Sequence, residues 1–280
     1  MSRTNVVLRQ KPLRTDAEPF LKWAGGKRRI LPQLLPLLPE KVDGYVEPFL
    51  GGGAMFFALQ PDGAVLSDVN SDLINLYEVV RDQVEALITD LGRHRYEKNY
   101  YYRMRGEDPE DLSPLGRASR MLYLNRTCFN GLYRVNRRGQ FNVPFGRYSN
   151  PTICASERLR AVSDVLKGTT IVNAGYAQVL ESISPETFVY LDPPYQPLTR
   201  TANFTSYTAD SFTEEDQATL ARTVADMDGR GVKWMLSNSD TPLIRELYKA
   251  FRIDVVMAPR AISRSAQGRQ AVQEVVVRNY

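Results

Sequence analysis

The stretch Phe188-Val189-Tyr190-Leu191-Asp192-Pro193-Pro194-Tyr195 decides how this chain folds. Its first four residues are apolar, and three of them are aromatic or β-branched. They have the length and composition of a buried strand. Two prolines follow one carboxylate. Proline cannot donate to a sheet ladder, so the strand must stop there. A residue before proline is pushed to extended geometry, which keeps Asp192 and Pro193 out of helix. The expected product is a stiff corner at the carboxyl end of a strand, where open α/β sheets place their ligands. An ionised Asp192 and the Pro193 carbonyl are both acceptors, and side by side they suit the two N–H donors of an amino group. Tyr195 adds a flat face for a ring. A plain Pro-Pro turn with a rim aromatic is the alternative, and the rest of the chain decides between the two.

Upstream, Gly44 to Val46 reads as a short strand. It runs through Glu47 and Phe49 into the glycines Gly51, Gly52 and Gly53, and then into a helix over 54–59. Strand, glycine turn, helix is the nucleotide-binding arrangement of a doubly wound sheet. The next short strand ends at Asp68, 17 residues after Gly51, near where such folds place an acid on ribose hydroxyls. The spacing is not a dinucleotide fingerprint. It suits an adenosine-bearing ligand without a pyrophosphate, such as S-adenosylmethionine. Further upstream, Trp23 and Lys27 flank two glycines ahead of a helix expected over 30–38. That segment lacks the spacing and the Ser or Thr of a P-loop, so an ATPase reading is poor.

Composition narrows the field. The chain has 280 residues, 43% hydrophobic and 24% charged, which is ordinary for a globular α/β protein with a large core. No apolar run has the length of a membrane span, and the N-terminus lacks a signal-peptide shape, so a cytoplasmic location is expected. Two cysteines, Cys128 and Cys154, and one histidine, His94, give neither a disulfide framework nor a metal set. The lone histidine also argues against Ser-His or Cys-His nucleophilic chemistry. Its charged neighbours suggest a solvated helix end. The net charge is +4, but between residues 117 and 160 nine arginines face one acid, Glu157. Such a block is the footprint of a phosphate-backbone partner, or else a solvated basic face.

No strand of a nucleotide fold is legible between about 71 and 128. One long amphipathic helix is expected over 70–91, a second over 96–104 and a third over 115–127. A hairpin turning at Arg138-Gly139 follows, with aromatic residues interleaved among its arginines. The chain is therefore expected to divide into a catalytic unit, 1–70 with 151–280, and an inserted target-recognition unit, 71–150. After the Asp192 corner come a polar loop at 199–210 and a helix opened by a Thr213/Asp216 cap. A buried strand ends in Asn238, and a terminal antiparallel pair flanks a basic loop at 262–270.

Five stretches, in order, give the chain its resemblance. They are FLKWAGGK at 20–27, VEPFLGGG at 46–53, SDVNSDLI at 67–74, NGLYRVN at 130–136 with FNVPFG at 141–146, and DPPY at 192–195. Together they resemble the Dam-type DNA adenine-N6 methyltransferases of the D12 class. The resemblance implies a Rossmann-like S-adenosylmethionine-dependent sheet carrying an inserted helical and β-hairpin DNA-recognition domain. It implies Asp192, Pro193, Pro194 and Tyr195 as the catalytic motif, and Trp23, Lys27, Glu47, Phe49, Gly51, Gly53, Asp68 and Asp192 as the donor site. On duplex DNA, Arg134 would read a guanine, Leu132 and Pro144 a thymine, and Phe129 would fill the gap left by a flipped base with Asn130 beside it. Lys22 and Arg137 join the DNA-facing set. Many relatives carry tyrosine where this chain has Phe129.

The implied reaction is site-specific transfer to N6 of adenine, within GATC, by base flipping and direct attack of the amino nitrogen. It needs no metal and no covalent enzyme intermediate, and a monomer would suffice. A cytosine-N4, RNA or protein-amide methyltransferase, or a DNA-binding module without catalysis, are the competing readings. A bacterial or phage-infected cell is the expected setting.

Overall fold

The computed structural model describes residues 14–41, 43–136, 138–197, 212–259 and 271–280. Arg137, the polar loop at 199–210, the basic loop at 262–270 and most of the N-terminal arm lie outside the described residues. Seven strands form one sheet: β1 (Gly44–Glu47), β2 (Val65–Asp68), β3 (Thr170–Asn173), β4 (Thr187–Leu191), β5 (Lys233–Ser239), β6 (Arg252–Ala258) and β7 (Val272–Arg278). Their order is β3-β2-β1-β4-β5-β7-β6. The first five are parallel, and β7 runs antiparallel to both β5 and β6. This is the Rossmann-like α/β sheet expected of the chain.

β4 lies beside β1, with Tyr45 opposite Phe188. From β1 the chain steps outward through β2 to β3, then returns to the centre at β4. The order therefore reverses between β1 and β4, and the carboxyl ends of these two strands frame a crevice. All five residues of β4 are buried, as a central parallel strand covered on both faces requires. Alternation sends Phe188 and Tyr190 into one core, and Val189 and Leu191 into the other. Burying each such side chain contributes about 1.5–3 kcal/mol.

The helices are α1 (Leu31–Leu34), α2 (Ala54–Leu59), α3 (Ser71–Asp82), α4 (Val84–Leu91), α5 (Lys98–Gly106), α6 (Pro114–Thr127), α7 (Ser156–Leu166), α8 (Tyr176–Leu180), α9 (Glu214–Gly229) and α10 (Pro242–Leu247). Residues of α2, α3, α4, α6 and α7 share the first core, and residues of α9 and α10 share the second. A third, smaller cluster joins α5 and α6 to the segment that follows: Tyr101, Tyr123, Leu124, Cys128 and Val143. The 71–150 segment is thus split in its packing. Leu73, Leu76 and Val80 of α3 belong with the sheet, while Tyr101 and Val143 form a core of their own.

Several elements differ from the sequence reading. The helix expected over 70–91 is two, because Gln83 leaves helical geometry at φ −136°. The helix expected over 30–38 stops after Leu34 and tightens into a 3-10 turn, Leu35–Leu37, where Pro36 cannot continue the hydrogen-bond ladder. The expected hairpin is present as a turn rather than a ladder. Asn136 N–H donates to Gln140 O at 2.8 Å, Gly139 adopts φ +74°, and the cross-chain bridges are Val135 with Phe141 and Cys128 with Phe145. The Thr213/Asp216 capping box opens α9 as read. At the sheet edge, the Gln33 amide bonds both the N–H and the carbonyl of Met257 at 3.0 Å, covering an edge that would otherwise invite pairing.

Candidate active site

The chain leaves β4 at Asp192 and turns through the prolines, and neighbours bolt this corner down. Gln217 of α9 donates to the Pro194 carbonyl at 2.8 Å. Gln196 N–H donates to Asn238 Oδ1 at 3.1 Å, and Ser239 Oγ–H donates to the Gln196 carbonyl at 2.5 Å. Asn238 and Gln217 are themselves joined by a hydrogen bond of 3.1 Å, and both are fully buried. Among the described residues none donates to the Pro193 carbonyl. The corner is therefore rigid, and it keeps one backbone acceptor beside the Asp192 carboxylate.

Lys27 reaches into this corner from the glycine segment. Its Nζ donates to the Gly25 carbonyl at 2.5 Å and lies 2.8 Å from Asp192 Oδ1. It also sits 4.5 Å from the centroid of the Tyr195 ring. Lys27 is only 5% exposed, so its charge is held by these contacts rather than by water. Burial pushes the Asp192 carboxyl up to about 6, and the Lys27 ammonium pulls against that rise. The Tyr195 hydroxyl donates to Glu274 Oε2 at 2.8 Å.

The glycine turn between β1 and α2 packs closely. A Cβ on Gly51 would stand 2.9 Å from Trp23 Cδ1, and one on Gly53 2.9 Å from the Tyr77 hydroxyl. Both glycines have positive φ, +48° and +65°. Asp68, at the end of β2, accepts from Gly51 N–H and from Asn70 N–H, each at 3.0 Å. Burial raises its carboxyl above the ordinary range. Trp23, Gly51 and Asp68 are thereby brought together, and the close-packed glycines with a terminal acid fit an adenosine-bearing donor. Glu47 is placed differently. Its buried carboxyl accepts from Tyr45 hydroxyl at 2.7 Å and from Phe56 N–H at 3.1 Å, so it holds the first turn of α2. Burial pushes it up to about 8. Phe49 stacks on Tyr176 at 5.3 Å and meets the edge of Phe212.

The basic block resolves into two populations. Arg117 pairs with Asp72, Arg158 with Glu18, and Arg160 with Glu85 and Glu157. Arg120 and Arg126 spend their guanidinium hydrogens on backbone carbonyls. Arg134, Arg138 and Arg147 are exposed. Arg134 is oriented by Asn142, which accepts from its Nε at 2.7 Å. Phe129 is 47% exposed, unusual for so large an apolar ring, and its N–H donates to the carbonyl of the exposed Pro144 at 2.8 Å. Asn130 follows at φ +55°, in a conformation asparagine tolerates. Leu132 is part-buried against the third cluster.

This surface is fastened to the donor segment. Asn125 is buried, accepts from Lys22 N–H at 2.9 Å, and donates to the carbonyls of Lys22 at 2.7 Å and Gly131 at 3.2 Å. The Lys22 chain lies across Gly131, and its Nζ donates to the Tyr148 hydroxyl at 3.1 Å. Trp23 stacks on Tyr133 at 5.1 Å.

Sequence reasoning missed Glu274, Gln217, Tyr176 and Asn125. Glu274 carried a signal, as the one acid inside the apolar run of β7. Among the described residues, no group of His, Cys, Asp and Glu is placed to hold a metal, and no helix is long and apolar enough to cross a membrane.

The family model described as D12 class N6 adenine-specific DNA methyltransferase matches residues 23–262. The chain is 43% identical to a protein of Lactococcus lactis subsp. cremoris named type II methyltransferase M1.LlaDCHI, covering 95% of this chain and 96% of that one. It is 41% identical to type II methyltransferase M.MjaIII of Methanocaldococcus jannaschii, over 95% of this chain and all of the relative. It is 39% identical to the DNA adenine methylase of Escherichia coli K12, over 92% and 93% of the two chains.

Proposed function

The chain belongs to the D12 class N6 adenine-specific DNA methyltransferases, and from that premise we propose that it methylates adenine within GATC in duplex DNA, taking the methyl group from S-adenosylmethionine. Trp23, Lys27, the turn from Phe49 to Gly51 and Gly53, and Asp68 would hold the donor, with the Glu47 carboxyl holding that turn against α2. When bound, that donor supplies an electrophilic methyl group on a sulfonium. The remaining work falls to the chain's own residues.

Asp192 and the Pro193 carbonyl accept hydrogen bonds from N6 of an adenine taken out of the stack. The amine's lone pair is thereby freed from conjugation with the ring and turned toward the methyl group. Tyr195 stacks on the base. The new C–N bond would form as the donor's C–S bond breaks with its electron pair leaving on sulfur, and the surplus N6 proton would then pass to water, so rate would come from positioning and fixed dipoles rather than from an enzyme nucleophile. Flipping costs a few kcal/mol. Phe129, exposed at the surface, would fill the vacated stack with Asn130 at its side. Arg134 would read guanine, and Leu132 and Pro144 a thymine methyl. Lys22 and Arg137 would meet the backbone. The recognition unit is the part of 71–150 built on the Tyr101, Tyr123 and Val143 cluster, which leaves α3 with the catalytic sheet.

The observation that carries this reading is the position of the Lys27 ammonium. A cationic N–H donor already lies on the Asp192 carboxylate and on the face of Tyr195. An exocyclic amine on a flat ring asks for the same two partners. The test uses labelled S-adenosylmethionine with two duplexes, one containing GATC and one with those bases permuted, followed by nucleoside analysis. N6-methyladenine in the first duplex alone is expected. Equal labelling of both would overturn the GATC assignment and keep the chemistry. Full activity in Asp192→Ala would overturn the base pocket.

A further inference from the structure

We propose that Glu274, on β7, is a positioning residue that fixes the direction of the Tyr195 ring against which the target base stacks. The inference rests on the reading of Tyr195 as that stacking partner. The backbone around Tyr195 is already immobile. The carbonyl before it is held by Gln217, and both polar groups of the residue after it are held by Asn238 and Ser239. What remains free in a tyrosine is rotation about its two side-chain torsions. A hydrogen bond at the far end of the ring fixes the first torsion, and it biases the second because a phenol O–H prefers to lie in the ring plane; Glu274 makes that bond, 2.8 Å from the hydroxyl. A carboxylate acceptor makes this bond about twice as strong as a neutral one.

Glu274 is well placed to act as an anchor. It pairs in register with Ser239 of β5 on one side and Val256 of β6 on the other, so it belongs to a strand paired on both edges. Its neighbours on β7, Val275, Val276 and Val277, are fully buried. Glu274 itself is part-buried, so its strand is held by the buried run while its carboxylate stays free to reach the Tyr195 hydroxyl. Among the described residues it pairs with no Lys or Arg, and the Tyr195 hydroxyl is the side chain that donates to it. Ser239 touches both parts of the device, as partner of Glu274 in the ladder and as donor to Gln196. The β5–β7 pairing thus sets the distance between the anchor and the corner.

The experiment is a mutant cycle on the full chain with the methylatable duplex. The variants are Glu274→Ala, Glu274→Gln, Tyr195→Phe and the double variant Tyr195→Phe/Glu274→Ala, with Asp192→Ala as the control for the base pocket. Glu274→Ala and Tyr195→Phe should each lower kcat about tenfold, with KM for the donor within about twofold. Glu274→Gln keeps an acceptor and should stay within about threefold of the parent. The double variant should be no slower than either single one, because both remove one bond.

If the two losses multiply, or if Glu274→Ala runs at the parent rate, the inference is overturned. Should Glu274→Ala fail to fold, Tyr195→Phe removes the same bond from the other side, and parent-like turnover by it is equally fatal. Activity in Asp192→Ala would instead count against the base pocket, a separate failure.

Discussion

Lys27 and Asp192 form an ion pair, Nζ to Oδ1 2.8 Å, between a lysine that is 5% exposed and a carboxylate that is 20% exposed. The pair explains how an acid so deep in the sheet can stay charged. Burial favours its protonated form and lifts it to about 6, and the ammonium opposes the lift while the Glu274 carboxylate adds to it. Only the ionised carboxylate is a pure acceptor at both oxygens, with no proton to meet the amine's own N–H. Turnover should therefore fall as pH drops through about 6. Replacing Lys27 with methionine removes the opposing charge, so Asp192 holds its proton to higher pH. The acid limb of kcat should move upward, with a larger deficit at pH ~6.5 than at pH ~8.5. A pH–rate series on both proteins measures it.

Gly51 makes a sharper demand on the sequence. Its φ is +48°, where an alanine is strained, and its Cβ would meet Trp23 Cδ1 at 2.9 Å. Gly51→Ala should displace Trp23 or the turn, and weaken donor binding by about five- to 160-fold for a strain of about 1–3 kcal/mol. DNA affinity should stay within about threefold, because the exposed Phe129 and Arg134 are untouched. Calorimetry with the donor and mobility shift with the duplex separate the two effects.

How far the sequence carries depends on whether a feature is local. The β4 corner was legible because a buried run, a carboxylate and two prolines are adjacent in the chain. The glycine turn and Asp68 were legible for the same reason. Tyr195 and Glu274 are 79 residues apart, and Asn125 and Lys22 are 103 apart. No periodicity announces such pairs before the sheet order is known. Charge counting failed in another way. It treats Arg117, Arg120 and Arg126 like Arg134, yet the first three are absorbed by Asp72 and by backbone carbonyls. The aliphatic face of α3 and the tyrosines of α5 both read as apolar faces in sequence. Which core each one joins is settled only by packing.

Arg134 should separate recognition from affinity. It is exposed, and Asn142 fixes the direction of its guanidinium. If Arg134 reads a guanine as proposed, Arg134→Ala should cost about 1–3 kcal/mol on the cognate duplex and much less on a duplex changed at that guanine. Replacing Arg147, an exposed cation with no side-chain orienter among the described residues, should instead weaken both duplexes alike and flatten the salt dependence. Competition binding at two salt concentrations distinguishes the patterns.

His94 yields a stability prediction with a definite sign. It reads in the sequence as a solvated helix end, but the structure sandwiches it. Its Nδ1 lies 2.7 Å from the Tyr100 hydroxyl and its Nε2 2.9 Å from Ser119 Oγ, and the ring stacks on Tyr123 at 4.5 Å. Burial lowers its proton affinity below the ordinary value of 6.5, against a smaller opposing pull from Asp90. The unfolded chain then binds a proton that the folded chain refuses. Stability from this group is complete above the unfolded value and is lost as pH falls through it toward the folded one. Thermal midpoints should therefore decline as pH is lowered below about 6.5. His94→Gln, which keeps polar atoms but cannot titrate in this range, should show a shallower decline while starting from a lower midpoint at pH ~8, because the stacking is gone. Parallel pH–melting curves for the two proteins would cross or converge on the acid side if the histidine is responsible, and would stay equally spaced if it is not.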